Sequence, residues 1–266
     1  MGIRIARQVA AGIAVAITCL NLLCGGTRAA EEIKPPALSQ SCTAPAAEIA
    51  MPEPLPHLAS ALEQKKQIRI LAIGYSSMTG FGGSALSRGY PTQLAEILRK
   101  AMKGVDVEII NRGVSGEVAT SAAERMKVLV AMEKPDLVLW QVGTNDALSR
   151  VPIDDFEETV RDMVRWLKEH DVDVVLVGMQ YLKRLGKDID YEAVRQAVSR
   201  VAQSEHVLHI RRYNAMEFIS RTDEKLQQGG DDLRLDELGY RCMAEHIANA
   251  VIANLYLRVA KPPLKR

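Results

Sequence analysis

The chain has 266 residues, of which 47% are apolar and 25% charged, and 34 Lys and Arg against 33 Asp and Glu leave a formal charge of +1. That composition excludes intrinsic disorder, a collagen-like repeat and a disulfide-dense scaffold, and it predicts one well-filled core. A near-neutral surface provides no electrostatic footprint for nucleic acid, so no nucleic-acid partner is expected.

Residues 1–29 have the pattern of a secretory signal peptide: Arg4 and Arg7, then an apolar run over 9–23, then small residues and Thr27-Arg28-Ala29. The run is shorter than the roughly 20 residues a spanning helix requires, so no stable membrane anchor is expected after cleavage. The expected location is secreted or periplasmic. Cleavage would remove Cys19 and Cys24 and leave Cys42 and Cys242 in an oxidising compartment. Two unrelated thiols are the alternative, but a Cys42–Cys242 disulfide is favoured because it ties the leader to the last helix. Closing a loop of 200 residues stabilises a fold by about 5 kcal/mol in the chain-entropy model.

The leader, residues 30–66, carries six of the eleven prolines and is expected to be an extended strap ending in a short helix over 57–66. From there β-branched runs at 68–73, 105–110, 137–142, 172–177 and 207–210 alternate with amphipathic segments. The runs are mostly apolar enough for strands buried on both faces. Leu94, Ile97, Leu98 and Ala101 recur at helical spacing, as do Phe156, Val160, Met163 and Leu167. Strand alternating with helix predicts a parallel five-stranded sheet in a three-layer α/β/α sandwich over 67–258, with a short tail at 259–266. Ligands are then expected at the carboxyl ends of the strands.

Each strand end carries a small or polar turn. Gly74-Tyr75-Ser76-Ser77 follows the first strand, Asn111-Arg112-Gly113-Val114-Ser115-Gly116 the second, and Gly143-Thr144-Asn145-Asp146 the third. A serine hydroxyl, exposed backbone N–H groups and an amide side chain at one rim are the parts of an oxyanion hole for acyl transfer. No His/Cys cluster has metal-ligand spacing, and Gly80-Phe81-Gly82-Gly83 lacks the P-loop lysine, so no metal and no cofactor are expected.

These blocks resemble the GDSL/SGNH hydrolases, serine esterases and lipases on a flavodoxin-like sheet, over residues 68–257. The resemblance implies Ser76 as nucleophile, with its own N–H, that of Gly116 and the Asn145 side chain as oxyanion donors, and Asp231 as triad acid. Ser77, Gln180 and Arg234 are candidate substrate-binding residues. The sequence departs from the family pattern at two places. Tyr75 replaces the acidic second residue of the first block, and Arg234 stands where the triad histidine belongs in Asp231-Asp232-Leu233-Arg234.

Guanidinium cannot accept the serine proton at neutral pH, nor return it to the leaving alcohol. Two readings of Arg234 stay open: an ion pair with Asp231 or Asp232, or a fork of donors toward an anion on the ligand. His209, ending the fifth strand, is the nearer substitute base, and His246 is too far along the last helix. His57, His170 and His206 are expected at the surface, and Arg211-Arg212-Tyr213 is expected to be a solvated or partly packed loop. The implied activity is hydrolysis of carboxylic esters, with short acyl groups on a carbohydrate or lipid as substrate and slow turnover. The alternative is an impaired pocket that binds acylated glycan or an envelope partner.

Overall fold

In the computed structural model residues 33–64, 67–75, 89–222, 237–255 and 257 are described. Helix α1 (Ala46–Ile49), strand β1 (Ala50–Met51) and helix α2 (Pro56–Gln64) come first. They are followed by β2 (Gln67–Ile73), α3 (Tyr90–Ala101), β3 (Asp106–Asn111), α4 (Ala119–Glu133), β4 (Leu137–Gln141), α5 (Thr144–Leu148) and α6 (Ile153–Glu169). Then come β5 (Asp173–Val177), α7 (Ile189–Ser204), β6 (Leu208–Ile210), α8 (Arg212–Thr222) and α9 (Glu237–Asn254).

Each interior strand alternates between two apolar layers, because successive side chains of a strand point to opposite faces. Leu71, Ile73, Val138, Trp140, Val174 and Leu176 join the apolar residues of α4, α6 and α7 in one core. Ile70, Ala72, Leu137, Leu139, Val175 and Val177 join those of α3 and α9 in the other. Strands β4 and β5 are buried along their whole length, as expected. Strand β3 lies at the sheet edge and is only half-buried: Val107 and Ile110, on opposite faces, each enter one of the two cores, and the residues around them are more exposed.

The three-layer α/β/α architecture and the five parallel strands agree with the sequence, but among the described residues the sheet has six strands, in the order β1-β6-β5-β4-β2-β3. The additional strand β1 pairs antiparallel with β6, Ala50 opposite Ile210 and Met51 opposite His209. It escapes a periodicity argument because two residues show no period. The β6 edge recruits it, with Arg211 N–H donating to the Ile49 carbonyl at 2.8 Å.

The strap is therefore not simply extended. It includes a 3-10 turn at Gln40–Cys42, helix α1 and strand β1, and it is fastened along α9. Cys42 and Cys242 form the expected disulfide. Around it, Ser39 N–H donates to Glu245 (2.7 Å), Asn249 Nδ2 to the Pro36 carbonyl (2.9 Å) and His246 Nε2 to the Cys42 carbonyl (2.7 Å). The short helix expected after the strap is α2, whose first turn is capped from a distance by the buried Asp173, accepting from Leu58 N–H at 2.8 Å. No helix among the described residues is long and apolar enough to cross a membrane.

Candidate active site

Three of the turns that follow the parallel strands are bound to one another at the carboxyl edge of the sheet. The β2–β3 ladder runs on past the strand ends, with Arg112 N–H donating to the Ala72 carbonyl (2.9 Å) and Val114 N–H to the Gly74 carbonyl (2.7 Å). This fixes the segment leading to Gly116 beside the residues leading to Ser76. Gly116 itself is exposed and has φ +79°. Glycine adopts that left-handed conformation without the steric cost that a Cβ imposes.

Asn145 and Asp146 hold the other side of the same loop. Asn145 Nδ2 donates to the Glu117 carbonyl at 2.8 Å, and the buried Asp146 carboxylate accepts from Ala119 N–H at 2.7 Å. Glu117 is in turn gripped by both Nε and Nη2 of Arg125, at 2.9 and 2.6 Å. A primary amide has two N–H bonds. One of them holds the Gly116 loop, so Asn145 helps build the rim. Burial raises the Asp146 carboxyl pKa, against the lowering by the backbone N–H groups of Ala119, Asp146 and Gly143.

Gly143 sets the direction of α5. It has φ +100°, and a Cβ placed there would stand 2.9 Å from Met179 Cγ and 3.2 Å from Val194 Cγ1. The helix therefore starts at Thr144 only because residue 143 has no side chain. Thr144 Oγ1 is a junction: it accepts from Tyr75 Oη at 2.5 Å and from Gln180 N–H at 3.0 Å. The Gln180 carbonyl accepts from Tyr191 Oη at 2.6 Å. Gln180 is thus buried and held at both backbone polar groups on the β5 side of the same edge. Burial raises the Tyr75 and Tyr191 phenol pKa values, so both hydroxyls stay protonated as donors.

Among the sequence candidates, Gly116, Asn145 and Gln180 lie at this edge, and Tyr75 brings the chain to Ser76. Ser76, Ser77, Asp231 and Arg234 lie outside the described residues, as do Gly80-Phe81-Gly82-Gly83, the signal peptide and the tail at 259–266.

His209 is not a usable base. It is 4% exposed on β6, against Gly178, where a Cβ would meet its Nε2 at 2.8 Å, and burial pushes its pKa down to about 3, with the Arg211 charge adding to the shift. A base that weak gives little help to a serine near neutral pH. His246 is buried under the strap, and burial lowers its pKa despite its bond to the Cys42 carbonyl. His170 and His206 are exposed, and His57 is partly exposed with Nδ1 3.8 Å from Asp171.

The expectation for Arg211-Arg212-Tyr213 needs correction, because Arg212 and Tyr213 begin helix α8 and are both buried. Sequence reasoning also passed over Glu117, Thr144 and Asp146. Asp146 had a signal, an acid beside the amide at a strand end, whereas Glu117 acts through its backbone carbonyl and carried none.

The model of the Non-GDSL lipase-like family matches residues 41–256. The chain belongs to that family. Its first block, Gly74-Tyr75-Ser76-Ser77, accordingly lacks the acidic second residue of the GDSL signature. The chain is 27% identical over 119 residues to an arylesterase of Vibrio mimicus, covering 45% of this chain and 58% of that protein. It is 25% identical over 109 residues to an acetylxylan esterase of Geobacillus stearothermophilus, covering 37% and 50%. The chain thus spans about half the length of these curated relatives. A solved two-domain esterase active on acetylated mannans has the same fold, with a TM-score of 0.67 at 18% identity, over 84% of this chain and 60% of that one.

Proposed function

We propose that this family member is an SGNH-type serine hydrolase that removes short acyl groups, acetyl foremost, from a carbohydrate in the secreted or periplasmic space. The observation that carries the reading is the clamp between the Gly116 loop and Asn145, set beside the backbone that leads to Ser76. It is a rigid rim of donors where an acyl oxyanion would develop charge. The esterases among its relatives, two of them acting on acetylated xylan or mannan, support the choice of substrate.

In this reading Ser76 Oγ attacks the ester carbonyl. The tetrahedral oxyanion is held by the N–H groups of Ser76 and Gly116 and by the side chain of Asn145. Ser77 and Gln180 line the substrate side, and Arg234 contacts the ligand or Asp231. Asp231 takes the serine proton through water in place of a histidine, so turnover is slow. Residues 1–29 are removed on export, leaving the leader at 30–66, the hydrolase domain at 67–258 and the tail at 259–266.

The test is hydrolysis of p-nitrophenyl acetate and of acetylated xylo-oligosaccharide by the mature chain, beside Ser76→Ala and Arg234→His. Ester turnover that Ser76→Ala abolishes is the expected result. A parent rate no higher than that of Ser76→Ala refutes the reading, and a Ser76-dependent gain in Arg234→His would then show that chemistry was lost at position 234.

A further inference from the structure

Helix α7 has two faces. Val194, Ala197, Val198 and Val201 are buried, while positions 192, 195, 196, 199, 200 and 203 recur at helical spacing and form a polar face. With Met51 of β1, Arg211 and Asn214, that face lines a groove of about 520 Å³, a volume in the range of small-molecule sites. The strap supplies part of its wall: β1 pairs with β6, Met51 opposite His209, and Arg211 N–H donates to the Ile49 carbonyl.

Three of the described lining residues are arginines, Arg195, Arg200 and Arg211, against one carboxylate, Glu192. Each guanidinium is anchored. Arg195 Cζ lies over the Tyr213 ring, 4.5 Å from its centroid, with Nε 2.9 Å from Glu192 and Nη1 3.4 Å from Asn214 Oδ1. Arg200 gives Nε and Nη2 to Glu157, at 3.1 and 2.7 Å, a carboxylate it shares with Arg161. Arg211 gives Nη1 to the Ala47 carbonyl, an acceptor without formal charge. Three positive charges around one concave surface, with one carboxylate among them, focus a positive potential into the groove. A guanidinium fork already fixed in place loses little freedom when it takes a carboxylate.

The amides of Gln196, Gln203 and Asn214 and the Ser199 hydroxyl also line the groove. These groups both donate and accept, which suits a ligand rich in hydroxyls. Met51 is the one apolar side chain among the described lining residues, so a fatty or aromatic ligand has little to bury against. Beneath Arg195, Tyr213 lies 6.3 Å from Tyr191 between ring centroids, and Tyr191 Oη donates to the Gln180 carbonyl at 2.6 Å. The groove therefore backs onto the Gln180 side of the candidate active site.

We propose that this groove is a second saccharide site, which holds a uronate-bearing stretch of polysaccharide by its carboxylates on Arg195, Arg200 and Arg211 and by its hydroxyls on the amides. The choice of a saccharide over an acidic peptide rests on the carbohydrate reading above, and the demand for negative charge rests on the groove itself.

Calorimetric titration of the mature chain carrying Ser76→Ala, in which an ester ligand survives, tests it with trigalacturonate, its methyl ester and a triglutamate peptide. Trigalacturonate should bind about tenfold or more tighter than the methyl ester, which keeps the ring hydroxyls and lacks the charges, and tighter than triglutamate by a similar factor. Its affinity should fall as salt is added. Arg211→Gln removes a charge and Gln196→Glu adds an opposite one at an exposed position of α7, and each should weaken trigalacturonate about tenfold. Absence of binding, equal affinity for the methyl ester, or undiminished affinity in both variants overturns the proposal, and triglutamate binding as tightly as trigalacturonate overturns the choice of a saccharide. None of these readouts involves turnover. A chain that hydrolyses acetylated xylo-oligosaccharide but ignores trigalacturonate keeps the hydrolase reading and loses this one, whereas a chain without esterase activity that binds trigalacturonate through these arginines keeps this site.

Discussion

Replacing Gly143 by alanine separates two costs that the geometry places on one residue. The φ of +100° is strained for any residue with a Cβ, at about 1–3 kcal/mol. The added methyl would meet Met179 Cγ at 2.9 Å and Val194 Cγ1 at 3.2 Å, and overpacking of that kind costs about 1–3 kcal/mol. Met179 is flexible, but Val194 is β-branched and buried on α7, so part of the clash has nowhere to go. Gly143→Ala is therefore expected to lose about 2–5 kcal/mol in urea unfolding with an unchanged m-value. It should also lower kcat, because α5 begins at the next residue and carries Asn145. Adding Met179→Ala opens space, so the double mutant should be more stable than the sum of the singles by about 1 kcal/mol, while the backbone strain persists. A loss below about 1 kcal/mol in Gly143→Ala would refute this account of the turn.

Asn145→Ala should lower kcat about 10²–10³-fold in the ester assay by removing the amide donor, and lose about 1 kcal/mol as the Glu117 carbonyl loses its bond. Asp146→Ala leaves the Ala119 N–H buried without an acceptor, and should cost about 1–3 kcal/mol by chemical denaturation. Reduction of Cys42–Cys242 frees a loop of 200 residues and should destabilise the fold by up to about 5 kcal/mol, seen as a lower Tm in reductant that Cys42→Ser/Cys242→Ser reproduces. Burial holds the Asp173 carboxyl pKa up at about 6, despite the opposing Leu58 N–H and His57 charge. Because the folded state then holds a proton that the unfolded chain has lost, this residue's contribution is fully present below the ordinary carboxylate range. It is lost as pH rises through about 6. Asp173→Asn should flatten that slope in Tm measured against pH.

What the sequence determines by itself is local in origin. The five parallel strands and the helices between them follow from periodicity, which each segment carries independently of its partners, and β2 through β6 lie within a residue or two of the runs expected. The turns after the strands were legible for the same reason: Gly116 and Asn145 sit at strand ends, and the topology of a parallel sheet sends those ends to one edge. The disulfide was legible because reading Cys19 and Cys24 as part of a signal peptide leaves two of the four cysteines, which allow one pairing.

The tertiary structure alone decided whatever depends on a distant partner. Strand β1 exists because β6 has a free edge, His209 is inert because Gly178 leaves room to bury it, and Asn145 reaches a backbone carbonyl that has no sequence signature. Arg212, in a run that reads as solvated, is buried where the chain turns from β6 into α8. Burial of a charge is a property of the surrounding packing, and no window of sequence around the residue contains it.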